Sequence, residues 1–339
     1  MPAAPPSAPA QTRPRSRAAR YAGVAGYLLA GVVAFACVVL LAVRYLALPW
    51  VESLGPDIAG RLSKALGVPV SLERLSTDWD GWNPRITVEG LTIRSADDRG
   101  GRPMLALPRV LATVSWWSLT LADVRLKELV IERPELALTR RRDGRLVVAG
   151  LEIDPEAAGG DASPVGDWLL RQREIVVRDA LIVWTDERRA APPLTLDRVQ
   201  FRLEHPLGSR RHRFGLAGVP PPELASPIDL RGEFDNSDLR DLSKLEGRLY
   251  VRFDYADVAA WTAWIPSPVP VDEGRGALRL WLDYGGGIAR EIHADLELAD
   301  VKTRLGATLP RLELSRVAGR LTWQSDATTQ RLAARALSL

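Results

Sequence analysis

The side chains through which this chain of 339 residues could do chemistry are three histidines, one cysteine and 42 carboxylates. His205 and His212 flank the arginine-rich stretch HPLGSRRHR. A general base or metal ligand needs partners fixed at short range, and a solvated turn supplies none, so the pair predicts an exposed loop. His293 precedes Asp295 by two residues, which places both on the polar side of a strand. Without a third ligand nearby they read as a surface pair rather than a metal site. Cys37 lies inside a long apolar run and excludes any intrachain disulfide or cysteine-based metal site. The AFAC around it is a poor and misplaced lipobox. GxSxG, HExxH, the phosphate-cradling P-loop and GxGxxG are all absent from the sequence. The carboxylates alternate with arginines instead of converging. The expectation is a protein that is not an enzyme and needs no metal or cofactor.

The totals point the same way. With 46% hydrophobic and 26% charged residues the chain has the composition of a folded protein. A net charge of +3 is too small to argue for nucleic acid, and the arginines form no patch interleaved with aromatics. Lysine occurs only at Lys64, Lys127, Lys244 and Lys302.

What the chain does have is a membrane signal. Residues 21–43, YAGVAGYLLAGVVAFACVVLLAV, carry no charge. At about 1.5 Å per residue such a helix spans a hydrocarbon core of about 30 Å. Arg13, Arg15, Arg17 and Arg20 precede it with no acid among them, while Arg44, Glu52 and Asp57 are mixed beyond it. By the positive-inside rule the N-terminus stays cytoplasmic and the bulk of the chain is exported, tethered by an uncleaved single-pass anchor. Residues 1–20 then form a basic cytoplasmic leader. Residues 44–67 hold an amphipathic helix, with Val51, Leu54, Ile58, Leu62 and Leu66 on one stripe and Gly67 and Pro69 at its end.

After Gly67 the period changes from 3.6 to 2. In RLYVRFDY, Leu249, Val251, Phe253 and Tyr255 point one way and the charges the other; ALRLWLDY repeats this with Leu278, Leu280, Leu282 and Tyr284. IHADLELAD does so with Ile292, Ala294, Leu296 and Leu298. In RITVEGLTIR the phase shifts at Gly90, which predicts a glycine bulge. Two longer stretches read alike, KELVIERPELALTRRRDG at 127–144 and REIVVRDALIVWTDERR at 173–189, each cut in mid-run by Arg133-Pro134 or Arg178-Asp179. These patterns predict an antiparallel sheet of successive hairpins, one face apolar and one wet. Something must cover the apolar face. Only GDWLLRQ at 166–172 and DVAAWTAWI at 257–265 read as helices there. Helix counting therefore leaves two solutions: a closed sandwich of two sheets, which it favours, or one curved sheet whose trough takes an apolar ligand.

The order of segments supplies a further clue. LGVPVSLERL, DWDGWNPRITVEGLTIR, ALPRVLATVSWWSL and VRLKELVIERPELALTRRRDGRL after an anchor resemble the N-terminal part of the AsmA-like envelope proteins. DWLLRQREIVVRDALIVWTDE and LTLDRVQFRLEHPLGSRRHRFGLAGVPP resemble the YhdP branch of that family. The resemblance implies a Gram-negative inner-membrane protein with a long β-groove in the periplasm, related to bridge-like lipid transfer proteins. Its cargo would be phospholipid bound by its acyl chains, carried toward the outer membrane to maintain the permeability barrier. Periplasmic or outer-membrane proteins would be further partners. It favours the trough, with an N-terminal β module at 68–155 and continuing groove repeats at 156–339. The twelve residues named on the three strands above would line it. Relatives of this branch are several times longer, so a fragment is expected. The alternative reading is a tethered scaffold or outer-membrane assembly factor with a closed sandwich core.

Overall fold

The computed structural model describes residues 17–53, 57, 59–60, 63–64, 69–94, 103, 105–116, 125–148, 151–153, 168–206, 208–235, 245–264, 271–286, 288–304, 310–325 and 330–338. The chain divides into two compact units, Met1–Ser53 and Leu54–Leu339.

The first unit is helical. Helix α1 (Arg17–Ala42) passes through a π stretch, Val43–Ala47, into α2 (Leu48–Ser53). Pro49 explains the π stretch: it has no N–H to donate, and its ring would meet the carbonyl four residues back. The ladder widens one turn earlier, where the Leu48 N–H donates to the Val43 carbonyl five residues away. The helix thus does not stop at residue 43 as its apolar run suggests but continues to Ser53. Residues Val24–Ser53 are long and apolar enough to cross a membrane. Leu28, Val32 and Phe35 on it are exposed. Of the stripe expected at 44–67, Val51 falls in α2, while Leu54, Ile58, Leu62 and Leu66 lie outside the described residues.

The second unit holds a 17-stranded sheet. Its strands are β1 (Val70–Ser71), β2 (Arg74–Asp80), β3 (Asn83–Ile93), β4 (Leu105–Val114), β5 (Leu126–Glu132), β6 (Glu135–Arg140), β7 (Leu146–Val148), β8 (Leu151–Ile153) and β9 (Glu174–Asp186). Then follow β10 (Leu194–Glu204), β11 (Arg211–Val219), β12 (Ile228–Asp235), β13 (Glu246–Asp257), β14 (Val271–Gly285), β15 (Ile288–Thr303), β16 (Leu312–Ser325) and β17 (Gln330–Ser338). β1 and β2 lie end to end beside β3, β5 and β6 lie end to end between β4 and β9, and β7 and β8 extend from β6. Across its width the sheet therefore has thirteen strand positions, from β2 to β17. It runs without interruption past residue 155, where the sequence suggested a module boundary.

Every junction is antiparallel save one. The two look-alike stretches lie side by side in parallel, Leu129–Glu132 against Ile175–Arg178 and Glu135–Arg140 against Leu181–Asp186. Their cuts face each other: the Arg133 N–H donates to the Arg178 carbonyl at 2.7 Å and the Leu181 N–H to the Pro134 carbonyl at 2.9 Å. A parallel pair needs a crossover rather than a hairpin, and residues 141–173 supply it.

Those cuts belong to a crease. Gly90, Arg133, Asp179 and Arg198 all have positive φ (66°, 51°, 53° and 48°). In β3 and β4 the pairs Val88↔Val110 and Ile93↔Leu105 keep one register although both strands change phase between them. The shift expected at Gly90 is therefore not a bulge of one strand; its neighbours shift with it. Leu105↔Leu136, Leu136↔Ile182 and Ile182↔Leu196 carry the new apolar row onward. Between β9 and β10 the register shifts on either side of Ala180↔Val199 and is regained at Ile182↔Leu196, whereas between β10 and β11 a one-residue slip remains between Asp197 and Gln200, and the crease ends there as a bulge.

Two short helical pieces close the ends of the apolar face. Trp168, Leu169 and Leu170 pack on the buried cluster Leu126, Leu129, Ile175 and Leu203. The Gln172 amide holds that turn in place, accepting from the Leu126 N–H at 2.7 Å and donating to the Trp168 carbonyl. At the other end α3 (Val258–Trp261) is capped by the Asp257 carboxylate, which accepts from the Ala260 N–H. Trp261 lies 6.0 Å from the Phe253 ring, and its indole donates to the Leu224 carbonyl.

Candidate functional site

The sheet's apolar side is a pair of cross-strand ladders. Residues paired directly across strands point to the same face, so the register alone fixes each rung. One ladder begins Leu75, Val88, Val110, Ile131, Val177 and Phe201. It continues through Leu216, Leu230, Val251, Leu280, Ala294 and Leu321 to Ala334. Each of its thirteen strands contributes an apolar side chain. The second, two residues along, starts at Thr77 and runs Ile86, Ala112, Leu129, Ile175, Leu203 and Phe214. It then takes Gly232, Leu249, Leu282, Ile292 and Trp323. Gly232 is no gap: a Cβ there would stand 2.6 Å from the Phe214 ring, which occupies the space. Twelve spacings of about 4.8 Å give the ladders a length of about 58 Å.

The structure places eleven of the twelve residues expected to line a trough on this face: Leu249, Val251, Phe253, Leu278, Leu280, Leu282, Tyr284, Ile292, Ala294, Leu296 and Leu298. Tyr255 is the correction. The register slips between Phe253 and Ala256, so Ala256, paired with Gly276, takes the rung that simple alternation assigns to Tyr255. The Tyr255 N–H instead meets the Ser226 hydroxyl at 3.0 Å.

All eleven are half-buried rather than buried. In a sandwich these positions would be the core. Among the described residues the strands instead form one sheet, with β2 paired to β3 and β17 to β16 and no pairing between β2 and β17, rather than the sandwich that helix counting favours. At β11–β14 the face sinks into a hollow of about 390 Å³ lined by Phe214, Phe234, Leu245, Leu249, Leu282 and Tyr284. The chemistry such a surface offers is non-directional attraction for hydrocarbon along its whole length.

From β10 onward the opposite face is wet and laced with ion pairs between neighbouring strands. Arg211–Glu233 (3.2 Å), Arg248–Asp283 (3.1 Å) and Arg320–Asp295 (2.5 Å) are examples. The Arg320 guanidinium holds the Asp295 carboxyl below its usual range, and Arg85 does the same to Asp78. His293 is on this face as expected, but its partners are Glu291 at 3.0 Å and the Thr322 hydroxyl at 3.1 Å rather than Asp295.

His212 departs furthest from expectation. It is not in a solvated loop but in β11, 5% exposed. Its ring is stacked between His205 (4.4 Å) and Phe234 (4.9 Å). Its Nε2 lies 3.1 Å from the Leu170 carbonyl, tying the turn at 168–170 to the sheet, and its Nδ1 is buried with no hydrogen-bond partner among the described residues. Alternation could have shown this, since His212, Phe214 and Leu216 share one phase. Of the arginines expected to orient the anchor, Arg17 and Arg20 lie in the first turn of α1, and Arg13 and Arg15 lie outside the described residues.

A single long sheet with an apolar helix before it and one continuous greasy side defines a β-groove protein. The sequence model of the family described as YhdP protein matches residues 18–339, and the chain belongs to that family. It is 26% identical over 265 residues to the intermembrane phospholipid transporter YhdP of Escherichia coli (strain K12). That match covers 76% of this chain but 19% of the relative, so the chain spans about a fifth of the relative's length.

Proposed function

We propose that the chain carries phospholipid by laying acyl chains along the paired ladders while the head groups remain in water. Helix α1 anchors it in the inner membrane with the arginine-rich leader in the cytoplasm, the sheet stands in the periplasm, and lipid moves toward the outer membrane, sustaining its permeability barrier. No bond is made or broken; the ladders bind and guide. The observation that carries this reading is the continuity of the first ladder: thirteen consecutive apolar rungs, those of β13–β16 half-exposed. Each methylene buried there gains up to about 0.8 kcal/mol. The rungs repeat at the strand spacing with no charge between them, so a chain can slide without meeting a barrier.

Photocrosslinking in cells tests the proposal. A photoreactive residue at Leu280 captures phospholipid, and one at Arg279, the next residue but on the wet face, does not. Equal capture at both positions, or none at Leu280 in folded protein, overturns it.

A further inference from the structure

The turn between β2 and β3 carries an aromatic side chain that the rest of the sheet leaves bare. Asp80 and Asn83 are direct cross-strand partners, so Gly81 and Trp82 between them form a two-residue hairpin loop. Gly81 alone of the two has a positive φ, 59°. A hairpin turn with glycine in the first central position is of the II′ kind, and it is tight. Trp82 stands at its outer corner, 77% exposed. Its backbone, by contrast, is held: the Trp116 indole donates to the Trp82 carbonyl at 2.9 Å, and the Trp116 ring is tilted against Trp79 at 6.3 Å. The hairpin thus presents one tryptophan outward on a tip braced by two others.

That exposure has one parallel in the chain. Among the described residues, every other large apolar or aromatic side chain more than half exposed lies between Tyr21 and Trp50, where the helix is long and apolar enough to cross a membrane. An indole has an apolar body and one N–H donor, which suits the boundary between head groups and hydrocarbon. The flanking charges set the depth. Asp80 adjoins the turn, and Asp78 behind it is paired with Arg85 by two contacts at 2.8 Å. Charges so placed stay in water and hold the tip at the level of the head groups. A protein partner would ask for more: a stable interface buries about 800 Å² on each side, and a two-residue tip does not supply it. A bilayer engages side chains one at a time.

We propose that Trp82 is an interfacial anchor, by which the β2–β3 hairpin dips its tip into the head-group layer of the bilayer that α1 crosses. β1, β2 and β3 are the first strands to follow that helix in the chain. Among the described residues β2 pairs on one side only, with β3, and its Leu75 and Thr77 begin the two ladders. A hairpin held at the head groups presents those first rungs to the membrane. The inference rests on the reading of α1 as the anchor and needs no cargo on the ladders.

The test uses the full chain, labelled with fluorotryptophan, in nanodiscs of phosphatidylethanolamine and phosphatidylglycerol that contain a lipid with a nitroxide on its head group. Fluorine NMR reads the tryptophans one by one. The Trp82 line, identified by its absence from Trp82→Phe, loses its intensity to the nitroxide as the Trp50 line of α2 does. The line of Trp281, which packs on Tyr250 across the wet face at 5.3 Å, keeps its own. Raising the salt concentration leaves this pattern in place, because the contact is apolar. Trp82→Asp lifts the tip, and the Trp79 and Trp116 lines, partly broadened in the wild type, sharpen. A Trp82 line that stays sharp beside a broadened Trp50 line overturns the proposal and points to a protein partner instead. Equal loss at Trp281, loss of the effect at high salt, or Trp79 and Trp116 lines still broadened in Trp82→Asp overturns it too. A sharp Trp50 line refutes the anchor, and this inference with it, whereas failure of lipid capture at Leu280 leaves the Trp82 line broadened.

Discussion

Leu280→Asp separates an open track from a closed core. Leu280 stands between Val251 and Ala294 on the first ladder and is half-buried. An acyl chain lying along the ladder crosses a strand about every 4.8 Å, a length of roughly four methylenes. A carboxylate at that rung withdraws the stabilisation of those methylenes, about 3 kcal/mol at about 0.8 each. Local occupancy should then fall about a hundredfold. The fold should suffer little, because a half-exposed leucine loses only about 1 kcal/mol of its burial. A closed sandwich would invert both expectations: lipid would be irrelevant, and an unpaired buried carboxylate would cost about 3–5 kcal/mol. The assay places a photoreactive residue at Ala294, measures capture of labelled phospholipid, and records denaturant unfolding of the same variant. Leu280→Met and Arg279→Gln should leave both readings unchanged. Wild-type capture in Leu280→Asp, or a loss of stability beyond about 3 kcal/mol, refutes the reasoning.

Three further outcomes follow from the geometry. Burial holds His212 below its ordinary imidazole range against the raising effect of the Leu170 carbonyl, with lesser effects of His205, which lowers it, and Asp235, which raises it. The unfolded chain therefore binds this proton at higher pH than the folded one, and stability should fall as pH drops below about 6.5; His212→Phe should flatten that part of a stability–pH profile measured by denaturant unfolding. Gly232→Ala should destabilise by about 1–3 kcal/mol, because its Cβ would press on the Phe214 ring and stand 2.8 Å from the Arg248 carbonyl oxygen; unchanged unfolding would show that the ladder repacks freely. Asp78→Asn removes a two-pronged Arg85 contact with both distances at 2.8 Å. The pair is largely solvated, so thermal unfolding at neutral pH should register less than about 1 kcal/mol. Since Arg85 depresses the Asp78 carboxyl, even that difference should vanish as pH falls through the carboxylate range.

Alternation shows which side chains share a face wherever a strand stays in one phase. Leu249, Val251 and Phe253, or Leu278, Leu280 and Leu282, could be read two by two and stand as read. It failed at Tyr255, where an inserted residue resets the phase and leaves no mark in composition. It passed over His212 because the neighbouring arginines suggested a loop, although Phe214 and Leu216 in the same phase pointed inward. Trp281 was illegible for a different reason: an aromatic on the wet side of ALRLWLDY matters only once Tyr250 is known to be its cross-strand neighbour, and pairing is not written in either segment.

The crease shows why the apolar side can bend without breaking. A strand that curves through a left-handed residue loses one step of alternation, and its following side chains would turn to the wrong face if it did so alone. Gly90 takes that step on β3, Arg133 at the break between β5 and β6, Asp179 on β9 and Arg198 on β10. Ile93, Leu105, Leu136, Ile182 and Leu196 therefore meet as a new apolar row beyond it. Two of the four are arginines, which pay about 1–2 kcal/mol for the left-handed conformation. That cost is tolerated because the bend and the continuity of the face are obtained together. The repeated wording at 127–144 and 173–189 is the trace of this in the sequence: two neighbouring strands interrupted at the same level, so that the surface they share is not.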